Sequence, residues 1–235
     1  MRLTCLAVSV ILFSSFSLPS YETHCITSAM EENQDGEENI NFRWAFCALK
    51  GQEPDQELIK ITGDTTLRTG DRVKMFLELR EKCFFYVIYH GSQGELCLLF
   101  PYDLRRSDSY YRTSKEYYIP KGSGWFELDD HIGRETFYVL ASAHRLVELE
   151  DLMRDHESAE PSEKQELARS ILDEIRNVKR KHSQFKTTAE RPVAIVGRIR
   201  GGPGGGVELP IEISQYATEV GAKNFHSRTY TIEHE

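Results

Sequence analysis

The central third of the chain has the pattern of closely packed β-strands. Over residues 72–80 apolar side chains alternate with charged ones, which is typical of a strand with one buried face. Residues 83–89 are apolar on both faces and rich in aromatic side chains, which is typical of a central strand. Further strands are predicted at 42–49 (an edge or entry strand), 58–62, 95–100, 117–119, 125–128 and 135–143, with a loop at 103–115.

A tight turn joins two of these strands and predicts how they pair. Gly91 and Gly94 flank two polar residues, so we expect them to face each other across the turn. Cys97 would then face Ile88, and both faces of the hairpin would be apolar. Each face needs cover, which predicts a second layer.

Helical spacing replaces alternation after the last of these strands. Apolar side chains recur at this spacing within 144–156. A second helix is predicted over 162–182, because Ser162 and Gln165 form a capping box at its start and basic residues occupy its last turn. Its single apolar stripe, which includes Ile175, needs a sheet to lie on.

The C-terminal part returns to β structure. The predicted elements are strands at 193–199 and 225–232, a glycine-rich loop at 201–206, and one short strand and one short helix within 207–222. The predicted fold class is mainly β with α. We expect one β-sandwich-like or barrel-like domain over 41–235, with a helical segment at about 144–182 packed on one sheet face.

Five motifs in a fixed order give the central part of the chain a resemblance to a known family. Their residues are Leu67, Gly70, Asp71, Tyr86, Gly94, Leu99, Phe100, Pro101, Ile119, Pro120, Trp125, Gly133, Glu135, Ala141 and Ser142. Over about residues 57–147 the chain resembles the bacterial domain of unknown function 4384. The resemblance implies a compact β domain, used as an accessory module in envelope proteins or beside signalling and protease-like domains, and it implies no established activity.

The charge of the chain argues against a nucleic-acid-binding protein. The sequence has 29 basic and 37 acidic residues, a net charge of −8, whereas nucleic-acid-binding surfaces are basic. No cofactor or metal motif is recognisable in it. The glycine-rich loop at 201–206 is followed by no Lys-Ser or Lys-Thr pair, so it is predicted to be a flexible connection and not a phosphate loop.

The amino-terminal segment, residues 1–20, indicates export. Arg2 precedes an apolar run that is typical of a signal peptide and too short for a comfortable membrane span. Residues 21–40 are polar and acidic, which predicts a flexible lead-in. The expectation is a secreted or periplasmic protein with no membrane span in the mature chain. The alternative is a cytoplasmic interaction protein that starts at Met30.

The cysteines are predicted to be neither catalytic nor paired. In the predicted register His90 and Cys97 share a face, but apolar surroundings would raise the pKa of the Cys97 thiol, so no cysteine protease is predicted. Cys83 lies too far from Cys97 along the paired strands for a disulfide. Cys25 with Cys47 is the less constrained pair.

One polar group is a candidate for hydrolytic chemistry. Asp129, Asp130 and His131 can bind a metal or act as an acid–base pair, although adjacent polar residues before a glycine more often form a solvated turn. Together with Glu135 they define the alternative function, a hydrolase with a shallow acidic site. Our first expectation for Glu135, and for Asp71 after Gly70, is a structural role at a turn or at the start of a strand.

Aromatic side chains favour a binding module over an enzyme. The candidates cluster around the loop and the edge hairpin: they are Tyr110, Tyr111, Tyr117, Tyr118 and Trp125. Exposed rings of this kind suit a protein or glycan partner, and no catalytic motif is recognisable. The expected function is therefore a non-catalytic accessory or binding module that engages a protein or glycan partner.

Overall fold

Two β-sheets pack face to face, and a pair of helices covers the outer face of one of them. The computed structural model of the chain describes residues 38–52, 54–183, 189–192 and 212–235. The predicted fold class, a β-sandwich-like domain with a helical segment on one sheet face, is confirmed, and the sheets do not close into a barrel. The predicted signal peptide, Cys25, the strand at 193–199 and the loop at 201–206 lie outside the described residues.

The two sheets draw their strands from distant parts of the chain. The elements are β1 (Asn39–Lys50), β2 (Glu57–Lys60), β3 (Thr65–Leu67), β4 (Arg72–Leu79), β5 (Phe84–His90), β6 (Leu96–Phe100), β7 (Glu116–Ile119), β8 (Phe126–Glu127), β9 (Gly133–Ser142), α1 (Val147–Ser158), α2 (Pro161–Lys181), β10 (Ala189–Pro192), β11 (Thr218–Lys223) and β12 (Phe225–His234). The first sheet has the order β10-β11-β1-β4-β7, with β2 also paired to β1 and β8 to β4. The second has the order β3-β12-β9-β5-β6, in which only β12 and β3 are parallel.

Aromatic side chains fill the space between the sheets. The ring of Phe46 in β1 lies 5.0 Å from that of Phe137 in β9 and 5.2 Å from that of Tyr230 in β12. Full burial of such a side chain contributes about 2 kcal/mol. The indole Nε1 of Trp44 donates to the Tyr230 hydroxyl at 2.9 Å, so the polar group of this buried ring is satisfied.

The helices cover the outer face of the second sheet, as predicted. Ile175 of α2 and Leu149 of α1 are buried with Tyr86 and Ile88 of β5. Strand β5 is therefore apolar on both faces because one face lies in the sandwich and the other lies under the helices. Among the described residues, no helix is long and apolar enough to cross a membrane.

The predicted start of α2 is wrong. The helix begins at Pro161, after Glu160 as the N-cap residue, and no side chain caps it, so Ser162 and Gln165 form no capping box. Proline suits the first helical position because its φ is already helical and its missing N–H would have no partner there.

The β5–β6 hairpin pairs one residue away from the predicted register. Gly91 N–H donates to the carbonyl oxygen of Glu95 at 2.9 Å, and Gly94 has a φ of +86°. A glycine in this left-handed conformation is typical of a three-residue loop, where two residues were expected. Cys97 consequently faces Tyr89 and not Ile88.

The first sheet also differs from the prediction at its centre and edge. β1 is a central strand between β11 and β4 and not an edge strand. β7 and β8 form no hairpin with each other, since both pair with β4, one after the other. Lys74 of β4 holds the loop between them, because its Nζ donates to the carbonyl oxygens of Gly122 and Gly124 at 2.7 Å each.

Candidate ligand-binding cleft

The structure separates the five aromatic residues predicted to bind a partner. Tyr111 and Tyr117 are buried in the core, which corrects the expectation that they are exposed. Tyr110 is half-buried against the same core. Tyr118 and Trp125 lie on the outer face of the first sheet, so the five rings form no single surface. Sequence spacing did not show this because β7 and β8 were expected to pair with each other.

Tyr118 and Trp125 are already engaged by a cation of the protein itself. The Lys74 Nζ lies 5.6 Å from the centroid of the Tyr118 ring and 5.7 Å from that of the Trp125 ring. Burial lowers the pKa of Lys74, and aromatic rings together with backbone carbonyls stabilise the ammonium. These contacts tie the two rings to the edge of the sheet.

A cleft of about 290 Å³ opens at the ends of β5, β9 and β12, and both sheets contribute to it. Its apolar walls include Val73 and Phe126 of the first sheet, and Leu99, Phe137 and Ile232 of the second. Its polar side chains are acids, histidines and one tyrosine, and no described residue that lines it is Lys or Arg. The cleft is therefore apolar in its walls and acidic in its polar groups.

Tyr89 and two glutamates form the polar centre of the cleft. The Tyr89 hydroxyl contacts the carboxylate of the buried Glu135 and, at 3.3 Å, that of the exposed Glu95. Burial, followed by the hydrogen bond to Glu135, raises the pKa of Tyr89, so the phenol keeps its proton. A phenol has one proton to donate. The two carboxylates therefore compete for this proton. The carboxylate that does not receive it needs a donor from solvent or from a ligand.

Asp129 and His131 form a pair on the exposed rim. The backbone N–H of His131 donates to Asp129 Oδ1 at 2.8 Å, and the ring Nδ1 of His131 lies 3.0 Å from Asp129 Oδ2. The hydrogen bond to Asp129 raises the pKa of His131, and hydrogen bonds from His131 lower the pKa of Asp129. Asp130 is exposed and does not line the cleft. Among the described residues no group of three or more His, Cys, Asp or Glu side chains is placed to hold a metal ion.

Sequence reasoning identified Asp129, His131 and Glu135 but missed Tyr89 and Glu95. The missed residues lie on either side of the turn whose register was predicted wrongly. His234 was missed as well; it is buried, and its Nε2 lies 3.0 Å from Thr69 Oγ1. No local motif marks these residues, because they meet only when β5, β6, β9 and β12 have paired.

Cys97 lines the same cleft but lacks the properties of a nucleophile. The residue is exposed. Partial burial of the thiol, followed by the charge of Glu95, raises the pKa of Cys97, whereas a reactive thiol needs a lowered pKa. His90 pairs with Leu96, so it lies on the opposite face of the hairpin from Cys97. The predicted diagonal contact between His90 and Cys97 is therefore wrong. Among the described residues, Cys47, Cys83 and Cys97 form no disulfide.

Asp71 ties together the backbone beside the cleft. Its Oδ1 accepts from Gly51 N–H at 2.8 Å and its Oδ2 from Arg68 N–H at 2.9 Å. Its own carbonyl accepts from the N–H of Leu128, a cleft residue, at 2.9 Å. Gly70 before it has a φ of +86°, the positive value expected for this turn. The side-chain bond predicted to close the turn is present, and a second bond accompanies it.

The fold and the cleft define a class: a two-sheet β-sandwich with a helical layer and a small acidic cleft at the strand ends. Residues 66–145 match the model of the family described as Domain of unknown function (DUF4384). This match confirms the resemblance in the motif-bearing part of the chain. No curated protein and no solved structure matches the chain.

Proposed function

We propose that this protein is a non-catalytic binding module and that its cleft receives a basic side chain of a protein partner. The observation that supports the proposal is the competition of Glu95 and Glu135 for the single proton of Tyr89. A guanidinium or ammonium group carries several donors and no acceptor. It can therefore donate a hydrogen bond to the carboxylate that does not receive the Tyr89 proton. Its aliphatic stem packs on the apolar walls formed by residues such as Phe126 and Phe137.

The size of the cleft supports one side chain as the occupant. A volume of about 290 Å³ accepts a long side chain, whereas a whole folded surface would have to contact the rim. Electrostatic attraction to exposed carboxylates is screened by salt. We therefore expect binding of a basic peptide to weaken as the salt concentration rises.

The proposal is tested with capped amino acids as minimal probes. N-acetyl-arginine amide should bind, whereas N-acetyl-norleucine amide, which is similar in shape and uncharged, should not. Glu135→Gln and Glu95→Gln should each weaken binding, while Glu148→Gln on the exposed face of α1 should leave it unchanged. If methyl glycosides bind and the arginine probe does not, the partner is a glycan and not a protein. Binding of none of these probes would refute the proposal.

A second candidate function is a hydrolase, favoured by the approach of two carboxylates to one phenol in a cleft. Most glycoside hydrolases use a pair of carboxyl groups, placed on either side of the scissile bond. A panel of nitrophenyl glycosides tests it. Turnover by the native chain that is lost in Glu135→Gln and kept in Glu148→Gln would establish the enzyme. If the protein is a binding module, the native chain, Glu135→Gln and Glu148→Gln should show no difference in turnover.

We propose that the module acts outside the cytoplasm, in the periplasm or as a secreted protein. The pattern of residues 1–20 supports export, and cleavage is expected between Ser15 and Cys25. Amino-terminal sequencing of the mature chain from its native host tests this. A cytosolic chain that begins at Met30 would favour the alternative, a cytoplasmic interaction protein.

A further inference from the structure

A second cavity, of about 300 Å³, lies between the two sheets and shares no lining residue with the cleft. Phe42, Trp44 and Phe46 line it from β1, and Val139 and Tyr230 line it from the second sheet. These walls are aromatic and apolar. The volume and the walls suit the body of a small apolar molecule.

Two basic side chains lie at the mouth of this cavity. The Nζ of Lys60 donates to Thr218 Oγ1, and among the described residues no carboxylate forms an ion pair with it. An ammonium has three donors, so it has hydrogen bonds left to give. Arg228 lies beside it and binds the carboxylate of Glu190 at 2.9 and 3.0 Å. Among the described residues that line the mouth, one carboxylate therefore faces two basic side chains.

His226 presents a buried polar group to the cavity. The residue is 8% exposed, and its ring lies 5.6 Å from that of Phe42. Burial lowers the pKa of His226 to about 4, so the imidazole is neutral at neutral pH. It forms no hydrogen bond with another described residue, which leaves one donor and one acceptor for a molecule in the cavity.

We propose that the inter-sheet cavity binds a small carboxylic acid with an apolar body. The carboxylate lies at Lys60 and Arg228, and the body packs among Phe42, Trp44 and Tyr230. An alcohol of the same shape offers the ammonium only a neutral acceptor, and an amine is repelled by it. This site is independent of the acidic cleft, which selects the opposite charge.

The probe for this site is 4-phenylbutyrate, compared with 4-phenylbutanol. The readout is the indole N–H signal of Trp44 in NMR spectra, because Trp44 lines the cavity. Trp125 on the outer face of the first sheet is the internal control. We expect the acid to shift the Trp44 signal and to bind about tenfold more tightly than the alcohol, as one hydrogen bond to a charged group provides.

Two variants test the assignment of the site. Lys60→Met should weaken binding of the acid about tenfold and weaken binding of the alcohol much less, whereas Lys121→Met at an exposed lysine should change neither. Val220→Phe, which fills the cavity, should abolish binding of both. Circular dichroism checks that each variant folds. If Lys60→Met does not fold, loss of binding in Val220→Phe still tests whether the probes occupy the cavity. Equal binding by all variants, or a shift of Trp125 alone, would overturn the proposal.

Discussion

Each buried charged side chain of the first sheet is held by specific partners. Glu78 accepts from Arg43 at 2.9 Å and from Arg80 at 2.7 Å, and Lys74 donates to two backbone carbonyls. A buried charge that loses its partner costs about 3 kcal/mol or more. Alternation along β4 placed these side chains correctly on one polar face. It did not show that the face is covered, because the covering residues come from other elements.

The side chain of Asp71 is expected to stabilise the fold through its two hydrogen bonds to the backbone. Asp71→Ala leaves the N–H groups of Gly51 and Arg68 without acceptors, so the free energy of unfolding should fall by about 2 kcal/mol. Asp71→Asn has one acceptor oxygen for two donors and should lose about half as much. Urea denaturation measures both, with Asp64→Ala at an exposed position as the control. A stable Asp71→Ala would contradict the structural role of this acid.

His226 gives a prediction on pH. Its pKa is lowered from 6.5 to about 4 in the folded protein because the ring is buried. Between these values the unfolded chain binds more protons than the folded one, so the contribution to stability is complete above pH 6.5 and falls as the pH falls toward 4. The loss should be on the order of 3 kcal/mol.

The measurement compares unfolding free energies of the native chain and of His226→Gln across this pH range. The variant lacks the titrating ring, so its stability should fall less steeply with acid. Parallel curves for the two proteins would show that His226 is not held neutral by burial.

The conformation of the turn between β5 and β6 determines how these two strands pair. The strands β4, β5, β6 and β9 lie close to where alternation predicted them, and a change of period located both helices. The register of β5 against β6 was not predictable from composition, since glycine is common in both two-residue and three-residue hairpin loops. The left-handed conformation of Gly94 shows which loop forms, and packing of Leu96 under the helices agrees with it.

Gly94→Ala should therefore destabilise the protein. Its φ of +86° is strained for any residue with a Cβ, so the expected cost is about 1 kcal/mol. Gly63→Ala is the matched control, because Gly63 has no such φ and nothing lies near its added methyl group; it should be neutral or slightly stabilising. Thermal unfolding measures both, and equal melting temperatures would argue against the three-residue loop.

The whole molecule is larger than the segment that the family model matches. The matched residues 66–145 supply β4 to β9, but β1 lies between β11 and β4, and β12 lies between β3 and β9. The cleft shows the same dependence, because β12 supplies His234 and Ile232 to it. Sequence motifs identified Asp71 and Glu135 in the matched segment. They did not show which strands from elsewhere complete the sheets and the cleft.

A fragment of residues 66–145 should consequently fail to fold alone. Without β1 and β12 the core lacks Phe46 and Tyr230, and two central strand positions are empty. Residues 38–235 should unfold in one cooperative transition, as expected for a single domain. Thermal unfolding followed by circular dichroism compares the two chains. A cooperative transition of the short fragment would contradict the single-domain account.

Nuclear Overhauser effects show directly whether a basic side chain enters the acidic cleft. We expect effects between the δ-methylene protons of bound N-acetyl-arginine amide and the protons of Phe137 and Ile232, which line the cleft. These effects should disappear in Glu135→Gln and persist in Glu148→Gln. Effects confined to Tyr118 and Trp125, on the outer face of the first sheet, would place binding elsewhere and contradict the account.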